Sequence, residues 1–207
     1  MEVSSSAFFF TLTYDNEHLP SGEELSKRDI QLFIKRLRKR NQGIRYFAIG
    51  EYGTEFGRPH YHAVIFNLID LDLVTLSWAD NHGRPIGHVT GSRATLGRIR
   101  YMVEYMALPQ KENGKQKAFR LMSRNPGIGH NYIQKWKAFH KARSDSVVFN
   151  FSTPCAMPRY YKDKIYTTQH QKAMVVYKAR KYSEEHPTQI CYVEHENLQR
   201  KLNRKHR

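Results

Sequence analysis

The chain has 207 residues, 34 of them Lys or Arg against 19 Asp or Glu, for a formal charge of +15. That length favours one domain with at most a small appendage and excludes dependence on disulfide staples, and the two cysteines, Cys155 and Cys191, form no C-x-x-C and suit a reducing compartment. No apolar run is long enough to cross a bilayer and no signal peptide opens the chain, so a soluble, cytoplasmic, polyanion-binding protein is expected, with nucleic acid ahead of a membrane surface.

In chain order, AFFFTLTY, from Ala7 to Tyr14, is aromatic and β-branched and predicts a strand. Ser26 then caps a helix with Asp29 in its first turn. Ile30, Phe33, Ile34 and Leu37 make its apolar stripe, and Lys35, Arg36, Arg38, Lys39 and Arg40 cover the rest, as a solvated face or a DNA-facing one. Gly43 ends this helix. Ile44–Glu51 and the HYHAVIFN segment predict an antiparallel hairpin turning through TEFGRP. Leu71–Asp80 reads as a helix, Gly87–Thr90 as a short strand, and Arg93–Ala107 as a helix stopped by Pro109. After the polar PQKENGKQK loop and the turn-rich LMSRNPGIG, helices are expected over Asn131–Arg143 and Tyr160–Tyr182, followed by a basic tail.

Two constellations bear on chemistry. Side chains on a strand alternate, so His60 and His62 share a face and Tyr61 takes the other. Glu51, at the end of the preceding strand, returns beside them across the hairpin. Two imidazoles and a carboxylate with open positions suit a divalent ion. Mg²⁺ or Mn²⁺ fits a phosphate substrate, while zinc accepts the same ligand types. On the residues alone, satisfied core histidines account for the pattern too.

Tyr101 and Tyr105 lie four apart in the helix GRIRYMVEYMALP, with both rings on one face, as a core stripe or as a pair of nucleophiles. A phenol at pH 7 is about 4 kcal/mol short of full ionisation, which a nearby cation can offset. Tyrosine attack on a phosphodiester conserves the bond energy as a phosphotyrosine ester, so rejoining needs no ATP.

Together, FTLTYDNEHLP, the helix ending KRLRK, GEYGTEFGRPHYHAVIF, the tyrosine pair, LMSRNPGIG and PRYYKDK resemble, in order, the HUH endonucleases, and specifically the replication initiators of microviruses, small single-stranded DNA phages. The resemblance covers roughly residues 8–164. It implies an α+β fold, a central antiparallel β-sheet flanked by helices, over residues 1–165, with 166–207 as a basic helical extension. It implies that His60, His62 and Glu51 bind the metal, and that Tyr101 and Tyr105 nick single-stranded DNA at an origin, keep the 5′ end covalently and religate it in rolling-circle replication. The setting would be the cytoplasm of a host bacterium. Relatives usually carry a lysine one turn after the second tyrosine; here Leu108 stands there. Arg98, Arg100 and Lys111 are candidates to replace it, and with Arg58 and Arg124 they are the expected DNA contacts. No G-x-x-x-x-G-K-[ST] occurs, so a host helicase is the expected partner, and no small-molecule cofactor is expected. A non-enzymatic nucleic-acid binder on an RRM-like sheet is the alternative, and a 2-His-1-carboxylate iron oxygenase is a third reading.

Overall fold

Backbone geometry in the computed structural model, which describes residues 3–105, 114–150 and 153–185, separates two units. One is Ser4–Ile128; the other comprises the described residues from Gly129 onward together with Val3. Leu108, Lys111, Cys191 and the basic tail lie outside the described residues.

The first unit is built on a sheet of β1 (Ala7–Thr13), β2 (Arg45–Tyr52), β3 (Pro59–Phe66), β4 (Val89–Arg93) and β5 (Phe119–Met122). Their order is β4-β1-β3-β2-β5 and every pairing is antiparallel. Three helices accompany it, α1 (Lys27–Arg40), α2 (Asp72–Thr75) and α3 (Leu96–Tyr105). The fold is α+β, an antiparallel sheet flanked by helices. Ser26 caps α1 as its sequence predicts, its hydroxyl accepting the Asp29 N–H at 3.2 Å. The stripe Ile30, Phe33, Ile34 and Leu37 is buried on one face of the sheet against Phe10, Leu12, Tyr61, Ala63 and Ile65. The opposite face carries a smaller core of Phe9, Ile49, Val64 and Met102 with Ile99 beside them. The strand period of two therefore sends alternate residues to α1 and to the α3 side.

The helix expected over Leu71–Asp80 is only Asp72–Thr75. Trp78 explains the early stop: it is fully buried and donates its indole N–H to Thr13 O at 2.8 Å. Its own carbonyl accepts the Ile86 N–H at 3.3 Å, so the backbone leaves the helix to bond across the chain. Just beyond, Gly87 has φ +156°, and an added Cβ would sit 1.9 Å from Thr13 O. Gly87→Ala is expected to destabilise the first unit by about 3 kcal/mol, read as a lowered midpoint in urea, because a backbone atom cannot yield as a side chain would. β5 has no forecast in the sequence reading; its four residues fall between two turn-rich segments.

The second unit contains α4 (His130–Arg143), the hairpin β6 (Val147–Asn150) and β7 (Thr153–Ala156), α5 (Arg159–Ile165) and α6 (Gln169–Glu185). Ile133, Met157, Ile165, Tyr166 and Val175 form its core. The single helix expected over Tyr160–Tyr182 is two. Thr168 starts a capping box: its hydroxyl accepts the Gln171 N–H at 3.3 Å, and Gln171 Oε1 accepts the Thr168 N–H at 3.4 Å. These bonds begin a new helix in place of extending the old one. The β6–β7 hairpin is likewise absent from the sequence reading. No helix among the described residues is long and apolar enough to cross a membrane.

Candidate metal and nucleophile site

β2 and β3 are paired so that Glu51 lies directly opposite His60. His62, two residues on, faces the same side, opposite Ile49 on β2 and Thr11 on β1. Both imidazoles aim Nε2 at one atom: Glu51 Oε1 is 3.0 Å from His60 Nε2 and 3.0 Å from His62 Nε2. The three side chains offer ligand atoms within 4.8 Å of one another, the one such group found among the described residues.

The other ring nitrogens are already engaged. His60 Nδ1 lies 3.3 Å from Arg58 O, and His62 Nδ1 lies 3.0 Å from Thr11 Oγ1. A carbonyl only accepts, so His60 Nδ1 carries the proton and a neutral His60 turns a bare lone pair toward the carboxylate. Lone pairs converging on a carboxylate call for a cation between them. Glu51 is 2% exposed, and its Oε2 is buried without a hydrogen-bond partner. This donor set fits a divalent ion, with His60, His62 and Glu51 as holders. Burial alone would raise the Glu51 carboxyl, but hydrogen bonds from His60 and His62 outweigh it and bring it down to about 2. Burial would lower the His60 imidazole, and the Glu51 carboxylate reverses this and raises it.

Phe9 and Thr11 are members of this site that sequence reasoning missed. Phe9 stacks on His62 with ring centroids 5.1 Å apart. The signal was positional: both are odd-numbered residues of β1, which the register sets on the histidine face. Thr11→Val is expected to leave the fold intact and weaken Mn²⁺ binding about tenfold, measured by titration calorimetry, because the His62 ring loses the partner that fixes it.

α3 brings the tyrosines to the same face. Tyr101 donates its hydroxyl to Glu51 Oε1 at 2.9 Å and packs edge-on to His62 at 5.8 Å. Tyr105 follows one turn later, its ring 6.1 Å from that of Tyr101. Burial and the Glu51 carboxylate push the Tyr101 phenol up to about 12, and burial also raises Tyr105. Tyr101 nevertheless stays 47% exposed, so a large substrate has access to it. Tyr61 points the other way and is fully buried, 2.9 Å from the Tyr14 hydroxyl.

The expected DNA contacts are scattered. Arg98 lies over the Phe9 ring at 5.5 Å, which places it on the histidine face. Arg100 pairs with Glu104 at 2.6 Å along the exposed side of α3. Arg58 ties the β2–β3 turn to the β1 exit, donating to Asn16 Oδ1 at 2.7 Å and Tyr14 O at 3.1 Å. Arg124 follows β5 and its charge acts on Tyr46, whose ring belongs to the α1 side.

A family model for the replication-associated protein ORF2 matches residues 7–110, a stretch holding all five residues of the site. Replication-associated protein VP4 of Bdellovibrio phage phiMH2K is 30% identical over 197 residues, covering 83% of this chain and 61% of that protein. Replication-associated protein ORF2 of Spiroplasma virus 4 is 44% identical over 80 residues, covering 33% of this chain and 25% of that protein. Replication-associated protein ORF4 of Chlamydia phage 1 is 41% identical over 61 residues, covering 27% of this chain and 15% of that protein. The chain thus spans less than two thirds of each of these relatives. No solved structure matches it.

Proposed function

The chain belongs to the family of the replication-associated protein ORF2, and from that premise we propose that it is a metal-dependent tyrosine nickase and strand-transferase acting on single-stranded DNA at a phage replication origin. The observation that carries this reading is one oxygen, Glu51 Oε1, toward which His60, His62 and the Tyr101 hydroxyl all converge. A core histidine pair has no use for a half-exposed phenol on the same carboxylate.

His60, His62 and Glu51 would hold Mg²⁺ or Mn²⁺. When bound, such an ion polarises the scissile phosphate and neutralises the charge that builds there. Tyr101 supplies the nucleophile. Its oxygen forms a bond to phosphorus as the bond to the 3′ oxygen breaks; the phenol loses its proton and the leaving 3′ oxygen gains one. The 5′ end remains as a phosphotyrosine ester, and attack by a 3′ hydroxyl reverses the step. Tyr105, one turn away, takes the second cut while Tyr101 is still loaded. In this reading residues 1–165 form the endonuclease, residues 166–207 a basic extension, and a host helicase opens the duplex.

The test is covalent capture. Incubating the protein with viral single strand and Mn²⁺ is expected to give an adduct that survives denaturation, and EDTA is expected to abolish it. Salt-sensitive binding without any adduct would instead favour a non-enzymatic DNA-binding protein.

A further inference from the structure

The reaction at Glu51 and Tyr101 makes no use of the basic face of α1. That face borders a groove of about 440 Å³ on the other side of the sheet, lined by Lys35, Arg38 and Lys39, with Gln31 and Gln42 at its ends and Ile34 and Tyr46 at its base. No acidic side chain lines it, and no carboxylate among the described residues pairs with its three cations.

A basic helix face is ordinarily just solvated, and the helix dipole accounts for cations in the last turn. Two observations go beyond this. Lys35 is mid-helix, so the dipole gives no reason for it. Arg38 is held in place: its guanidinium lies over the Tyr46 ring at 5.4 Å and reaches Ser123 Oγ at 3.4 Å. Ser123 is itself buried, and its hydroxyl accepts the Tyr46 N–H at 3.1 Å. Arg124 adds its charge beside Tyr46, where it and Arg38 pull against the rise that burial imposes on that phenol. A guanidinium fixed by aromatic stacking loses little entropy on binding an anion. Lys35 and Lys39 stand one helical turn apart, about 6 Å along the axis, so the groove presents a row of cations and no isolated charge.

We propose that this groove holds the sugar–phosphate backbone of the origin single strand on the side of the sheet away from the nick. Tyr46 and Glu51 both belong to β2 and face opposite sides of it, about 17 Å apart along the strand. A strand leaving the tyrosines can therefore pass around the β5 edge and reach α1. The groove becomes a second grip, which keeps the flanking DNA on the protein between cuts. This rests on the nickase reading.

The experiment measures metal-free binding of two viral single strands, a short one confined to the nick site and a long one with its flank. The variants are Lys35→Gln/Lys39→Gln, which leaves the Arg38 packing untouched, and the same pair with Arg38→Gln. For the long strand, affinity is expected to fall about tenfold, and the slope of log K against log salt to drop by about 0.7 per cation removed. Short-strand affinity and adduct yield are expected to stay at the wild-type level. An equal loss on both strands, an unchanged slope, or a loss seen only when the flank is made duplex overturns the proposal. Failure of the nickase reading looks different: wild-type protein would bind both strands and form no adduct with either.

Discussion

Tyr101→Phe is expected to abolish the first nick, cutting the rate of adduct formation on a single-stranded origin by at least about a thousandfold. Removing the hydroxyl deletes the nucleophile while the ring keeps its edge-on contact with His62, so the protein should fold and bind DNA as before. Tyr105→Phe is expected to behave differently. Its ring lies 6.1 Å from that of Tyr101, and among the described hydrogen bonds only the Tyr101 hydroxyl reaches Glu51. The first cut should therefore survive in Tyr105→Phe, while transfer to a second origin strand fails. The double variant should give no adduct at all. These outcomes are read on denaturing gels, with peptide mapping of the phosphotyrosine. An adduct of wild-type yield in the double variant would refute tyrosine chemistry altogether.

The second large effect is on the ligand set. Glu51→Gln keeps the shape of the side chain and removes its charge. Mn²⁺ affinity is expected to fall about a hundredfold or more, and adduct yield with it, whereas folding stability should change by no more than about 1 kcal/mol. The split follows from the site's construction. The buried carboxylate has one oxygen crowded by three polar partners and one with none, an arrangement that serves ligand binding better than it serves stability. His60→Ala and His62→Ala should lose metal similarly. EDTA should silence the wild-type protein, and added Mg²⁺ or Mn²⁺ should restore it. Unfolding of Glu51→Gln in parallel with its loss of activity would show that the cluster is structural, which a urea titration beside the calorimetry decides.

Much of the molecule was legible in the chain. Local rules sufficed where an element carried its own instructions. The Ser26 cap and the Ile30, Phe33, Ile34, Leu37 stripe define α1 without reference to anything else. Alternation on β3 put His60 and His62 on one face and Tyr61 on the other, and the hairpin length set Glu51 opposite His60. A four-residue interval placed Tyr101 and Tyr105 together on α3. Thr168 and Gln171 carried a capping signal that divides α5 from α6, though the continuous apolar pattern masked it.

The rest depended on partners far away in the chain. β5 is four residues long and exists because the β2 edge offers it hydrogen bonds. α2 stops early because Trp78 is worth more in the core, bonded to Thr13 O, than on a helix surface. Composition could not say which of 34 basic residues matter. Packing sorted them, laying Arg98 over Phe9, tying Arg58 into a turn and holding Arg38 between Tyr46 and Ser123. The sequence by itself determined the residue types, their order and the faces they occupy, since those follow from the periods of strand and helix. Only the tertiary structure decided that α3 lies over the histidine face and brings the Tyr101 hydroxyl within 2.9 Å of Glu51, because docking a helix on a sheet depends on apolar contacts between residues far apart in the chain, and no local period encodes them.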